Sequence, residues 1–361
     1  MDPRIETHAD ILVEHSVKIE PGDNVIVAAP PPAEDLVVAL FERIGDRGAN
    51  PFWRGSSQRA TRAYQRAIDE DAIGLHEHQL AAVEAADAFI GIRGSRNTRE
   101  TGDVSPQTQS KIRAANQPIQ EERLGKRWVA TQFPAPGNAQ DASMSLEAYE
   151  DFVWSAINRD WEAQRAFQDQ LVALLEEAQT VRVVAGDTTD ITMRIDGMIP
   201  VNDYAEYNLP GGEVFTAPVV DSVEGTVTFD KPLITQGREI TDVRLQFEAG
   251  EVVAFSAGNN EDLLEAVLDT DAGARRLGEL GIGTNRAIDR FTYNLLFDEK
   301  LGDTVHMAIG RAYDMNIGDD RERNDSAIHM DMILDMSEDA YIELDGEVIQ
   351  RNGTFVFEDG F

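Results

Sequence analysis

Cysteine is absent from the 361 residues, which excludes disulfides and thiolate metal sites. Any metal must be held by carboxylate, imidazole, phenol or carbonyl groups. Lysine is scarce: of 32 basic residues only Lys18, Lys111, Lys126, Lys231 and Lys300 are lysine, and the rest are arginine. No apolar run reaches the roughly 18 residues that a membrane-spanning helix needs, so no spanning helix is expected. The first residues, MDPRIETHADILVEHSVKIE, are acidic and carry no apolar core of signal length, which predicts a soluble, cytoplasmic protein. No GxGxxG or GxxxxGK[ST] loop follows a candidate strand, so no nucleotide site is read. No internal repeat is evident.

Acid is what the chain has in excess. There are 66 Asp and Glu, for a net charge of −34. Such a surface repels nucleic acid and anionic membranes. It could instead recruit basic partners, but the acids are scattered rather than blocked. Scattered acids with few lysines suit a protein that stays hydrated in concentrated salt. The expected consequence is a requirement for molar salt, because at low ionic strength like charges repel over about 10 Å or more. Unfolding followed by circular dichroism across a salt series checks this; undiminished stability at low salt would remove the salt-adapted reading.

Periodicity divides the chain. DNVIVAAPPPAEDLVVALFERIGDRG reads as a strand at 23–29, a proline-rich turn and an amphipathic helix at 33–47 stopped by Gly48. Further strands are expected at 88–92 and in KRWVATQFPAP. Residues 1–178 therefore read as an α/β domain with a mostly parallel sheet, ending in a long helix over 145–179. From residue 179 alternating strands dominate, with helical stretches near 261–268 and 272–277. Residues 179–361 read as a β-rich α+β domain.

Chemistry gathers in that second part. In SAIHMDMILDM, His329 and Asp331 stand two apart and share one face of an apolar strand. A buried acid beside a buried imidazole is costly unless something pairs with both. Glu213 follows a Pro-Gly-Gly turn, and Glu279 lies in the glycine-flanked stretch RRLGELGIGTN. Glu299 precedes His306 by seven residues, and Tyr313 follows in IGRAY. His8, His15, His76 and His78 lie in polar, helical or loop contexts. Each residue singly has an ordinary structural reading: a cap, a turn residue, a hydrogen-bonded core histidine. Together, two histidines and three or four carboxylates are what a two-metal hydrolytic site requires.

The same motifs, in order, make the chain resemble the M29 family of metallo-aminopeptidases. The resemblance runs from PGDNVIVAAP through RWVATQFP and MSLEAYEDF. It is densest in NLPGGEVFTAP, DAGARRLGELGIGTN, LFDEK, TVHMAIGRAY and NDSAIHMDMI. It implies two divalent ions (zinc, cobalt or manganese) held by Glu213, Glu279, His306, His329 and Asp331. It implies Glu299 as the proton-transferring base or an added ligand and Tyr313 at the edge of the site. It leaves open whether Glu213 or Glu279 bridges the ions. It also implies peptide substrates and a homodimer. His306 and Tyr313 are an odd seven residues apart, so a straight strand would place them on opposite faces, and Gly310 is where the chain would bend. The rivals are a mononuclear iron dioxygenase of related fold acting on dihydroxypyridines, and a non-catalytic acidic binding protein. The presence of both Glu213 and Glu279 favours the peptidase.

Overall fold

In a computed structural model, residues 1–235 and 238–361 are described, and they divide into two units. The first comprises Met1–Arg159 with Ala205–Gly211; the second comprises Asp160–Tyr204 with Gly212–Phe361.

The first unit is built on a parallel sheet. Its strands run in the order Asn50–Gly55, Asn24–Ala29, Ala88–Arg93, Arg127–Gln132, Asn208–Leu209. Parallel neighbours need crossovers, and helical segments supply them. Helix Glu34–Asp46 buries Leu36, Val37, Leu40 and Ile44 at helical spacing, and Gly48 ends it with φ +72°. His8 departs from the polar context expected of it. It is fully buried on helix Pro3–Asp10, with Nε2 2.8 Å from Thr131 Oγ1. Burial pushes its pKa down to about 3, so it is a neutral core residue.

The long helix expected over 145–179 is two helices, Leu146–Ile157 and Trp161–Glu177. The break is a capping event. The Asp160 side chain accepts the Ala163 N–H at 3.0 Å and starts the second helix afresh. Leu171 and Leu175 of that helix belong to the core of the second unit, so the division falls at residue 160 rather than after 178. The stretch at 272–277 is only a 3-10 turn, Ala272–Arg275, whereas Glu261–Leu268 is helical as expected.

Two multistranded antiparallel sheets and a two-stranded ribbon, Leu233–Thr235 with Arg238–Ile240, form the second unit. The larger has eight strands and includes Thr180–Ala185, Thr189–Arg194 and Ala340–Leu344. The smaller has five, in the order His329–Asp335, Thr304–Gly310, Leu277–Gly283, Glu213–Thr216, Val201–Asp203. Alternation decides which side chains of the smaller sheet enter the core. Leu280, Ile282, Val305, Met307, Ile309, Met332 and Leu334 join Val181, Val183, Ile191 and Met193 in one cluster. Each such side chain stabilises the fold by about 1.5–3 kcal/mol. The residues between them occupy the opposite face of the smaller sheet. A bulge between Leu277 and Glu279 resets the phase, so Leu277 and Leu280 both reach the core while Glu279 does not.

Candidate metal centre

Strand register gathers the acids and imidazoles on that opposite face. Glu213 pairs with Gly283, Gly281 with His306, Ala308 with both Glu279 and Asp331, and Gly310 with His329. Directly opposed residues share a face in an antiparallel pair. The five side chains thus project together from four neighbouring strands, among small residues that leave them room. Gly281 shows the tightness: a Cβ there would lie 2.0 Å from His306 Nε2. The imidazole rests directly on the glycine.

The side chains meet closely. His306 Nε2 is 3.1 Å from Glu279 Oε1 and 3.4 Å from Glu213 Oε2. His329 Nε2 is 3.6 Å from Glu279 Oε2 and 3.5 Å from Asp331 Oδ1. The His329 Nδ1–H donates to the Arg311 carbonyl at 2.7 Å, which fixes the tautomer and presents Nε2 to the cluster. On the other flank, Gln168 donates to the Glu213 carbonyl at 2.7 Å and holds the start of that strand.

Glu299 lies just beyond the turn Leu295–Asp298 and is linked to the cluster through Lys300. Lys300 Nζ stands 2.5 Å from Glu299 Oε2 and 2.8 Å from Glu213 Oε1. Tyr313 follows the strand that ends at Gly310, whose φ of +100° turns the chain. Its ring lies 4.7 Å from the His329 ring and it is 45% exposed, at the mouth of the cluster. All seven residues singled out in the sequence are therefore in one neighbourhood. Lys300 belongs there too, and sequence reasoning passed over it. One signal was available: it is one of only five lysines in the chain, and it directly follows Glu299.

Electrostatics show what the cluster lacks. Burial works against a charged His306, but the hydrogen bond to Glu279 and the charges of Glu213, Glu279 and Asp331 outweigh it, raising the pKa to about 9. His329 is likewise opposed by burial and raised, by Asp331 and Glu279, to about 10. Burial pushes Glu279 up, whereas Asp331 is held below its usual range because His329, His306 and Lys300 overcome its burial. Burial, opposed by Lys300 and reinforced by Asp331 and Glu213, brings Glu299 to about 8. The carboxylates draw positive charge, and in the metal-free protein protons on the imidazoles supply it.

The residues fit a metal. Glu213 Oε2, Glu279 Oε2 and Asp331 Oδ1 are shielded from solvent without a hydrogen-bond partner among the described residues. Unpaired buried carboxylate oxygens cost several kcal/mol, and a cation would offset that. Two sets of ligand atoms, each within 4.8 Å of one another, could hold one: Glu213, Glu279 and His306, and Glu279, His329 and Asp331.

Comparison with known proteins agrees with this chemistry. Aminopeptidase 2 of Geobacillus stearothermophilus is 29% identical over 417 residues, covering 99% of this chain and 98% of that protein. The structure of wild-type AmpT from Thermus thermophilus superposes with a TM-score of 0.87 at 24% identity, over 98% of this chain and 99% of the other. A 2,5-dihydroxypyridine dioxygenase from Pseudomonas putida KT2440 shares the fold more loosely, with a TM-score of 0.61 at 16% identity, over 99% and 97%. The thermophilic metalloprotease (M29) family model matches residues 1–360, and the chain belongs to that family.

Proposed function

We propose that the chain is a metal-dependent aminopeptidase that works with two divalent ions, Glu279 being the ligand they share. The observation that carries this reading is the double membership of Glu279. It alone belongs to both sets of ligand atoms, with one oxygen toward His306 and the other toward His329. A site for one ion would need only one set. The wholly oxygen and nitrogen donors suit zinc, cobalt or manganese.

Bound ions would supply an acidified water, a polarised carbonyl and an anchor for the substrate's free α-amine. The chain's own residues do the rest. Glu299, partly exposed and shifted toward neutrality, accepts the proton of the attacking water and returns it to the leaving amine. Tyr313 donates its hydroxyl hydrogen to the oxyanion. The Arg311 carbonyl holds His329 in its ligating tautomer. The dioxygenase shares a fold, and a fold does not carry a chemistry; a mononuclear site also leaves one of the two acid sets unexplained. Membership of a metalloprotease family leaves the binding-protein reading without support.

The test is hydrolysis of a leucyl reporter before and after chelation. Activity should vanish with the metal and return with zinc, cobalt or manganese. Oxygen consumption on a dihydroxypyridine, with one iron per chain, would favour the dioxygenase instead.

A further inference from the structure

Lys300 is fully buried, an uncommon place for an ammonium group. Its backbone is fixed on both sides. The Lys300 N–H donates to the Phe297 carbonyl at 2.9 Å, and its carbonyl accepts the Asn285 N–H at 3.0 Å. The turn before it is pinned by Asp298, whose carboxylate accepts from Thr292 N at 2.7 Å and Thr292 Oγ1 at 2.8 Å. The side chain then reaches Glu213 and Glu299, one oxygen of each, at 2.8 and 2.5 Å. A third acid, Asp203, stands opposite Glu213 in the neighbouring strand and adds to the negative field around the ammonium. Buried ion pairs contribute little net stability compared with apolar packing. Positive charge beside a cation site also works against cation binding. Stability and metal affinity alone therefore give no reason for a lysine here, whereas geometry does.

We propose that Lys300 is a positioning residue that gives the two glutamates different tasks. By occupying Oε1 of Glu213 it leaves only Oε2 toward His306 and Glu279, so Glu213 serves one ion through one oxygen. By holding Glu299 it keeps that carboxylate out of the ligand set and available for protons. The idea rests on the two-ion reading above.

The two roles separate metal affinity from turnover. In the Lys300→Met variant a repelling charge is gone and two carboxylates are released toward the ions. Zinc titrated into the chelated variant should bind at least as tightly as in wild type, by about tenfold more at one site. Turnover of the leucyl reporter should nevertheless fall about 100-fold in kcat, the scale of lost proton transfer, with little change in KM. Lys300→Arg keeps the charge and a forked donor and should recover part of kcat. Glu299→Gln should lose kcat to a similar extent yet retain two zinc ions per chain.

Parallel loss of zinc and turnover in Lys300→Met would mean that the lysine merely supports the fold and would overturn the proposal. So would normal kcat in that variant. If Lys300→Met does not fold, Glu299→Gln decides: loss of a zinc ion there makes Glu299 a ligand and overturns the proposal, and retention of both supports it. A wild type holding a single zinc ion is a separate result, and counts against the two-ion reading.

Discussion

Glu279→Gln should abolish binding of both ions and lower kcat by about 10³-fold or more, some 4 kcal/mol of barrier. The substitution keeps shape and leaves an amide able to meet His306, but removes the one carboxylate common to both ligand sets. Changes elsewhere in the cluster should be narrower. His329→Ala and Asp331→Ala each remove a ligand from one set, so metal and activity should fall together with one ion affected first. His76→Ala, outside the cluster and in the other unit, should alter neither. Stability gives the sign that separates a site from a structural core. Burial raises the Glu279 pKa, so at neutral pH its ionisation costs stability in the metal-free protein. Without metal, the Tm of Glu279→Gln should equal or exceed that of wild type. With metal, wild type should gain and the variant should not. Equal gains in both would remove Glu279 from the ligand set.

Gly281→Ala should cost about 100-fold in turnover, the scale expected when a reacting group moves by about 1 Å. The added methyl would sit 2.0 Å from Nε2 and 2.1 Å from Cε1 of His306. The imidazole must move, since the strand on either side is fully buried and paired to two neighbours. Metal affinity should fall with it. Gly45 is the control. It lies in helix Glu34–Asp46 with open space where a Cβ would be, so Gly45→Ala should leave activity unchanged and stabilise by about 0.5–1 kcal/mol. Normal kinetics for Gly281→Ala would show that His306 is not held by contact with the glycine.

The sequence was most informative where alternation and chemistry coincide. His329 and Asp331 in an apolar strand could only share a face, and Met330, Met332 and Leu334 could only turn away from it. The parallel sheet of the first unit followed from strands separated by amphipathic helices. Three features were hidden for physical reasons. The joint at Asn158–Asp160 is masked because apolar spacing continues across it; only the capping aspartate betrays a new helix. His8 sits on a helix whose polar neighbours suggest exposure, although its burial against Thr131 depends on a strand more than a hundred residues away. Lys300 lies in Asp-Glu-Lys, which reads as a hydrated turn until the fold carries Glu213 to within 2.8 Å of it. That Glu279 belongs to both sets of ligand atoms was also out of reach, because register between strands, not spacing along one, determines it.

If two ions share the Glu279 carboxylate, the metal content of the purified wild-type chain must show it. Elemental analysis after equilibration with zinc and removal of the excess should give two ions per chain, with leucyl-reporter activity that saturates as the second ion binds. One ion per chain at full activity would mean that Glu279 serves a single ion.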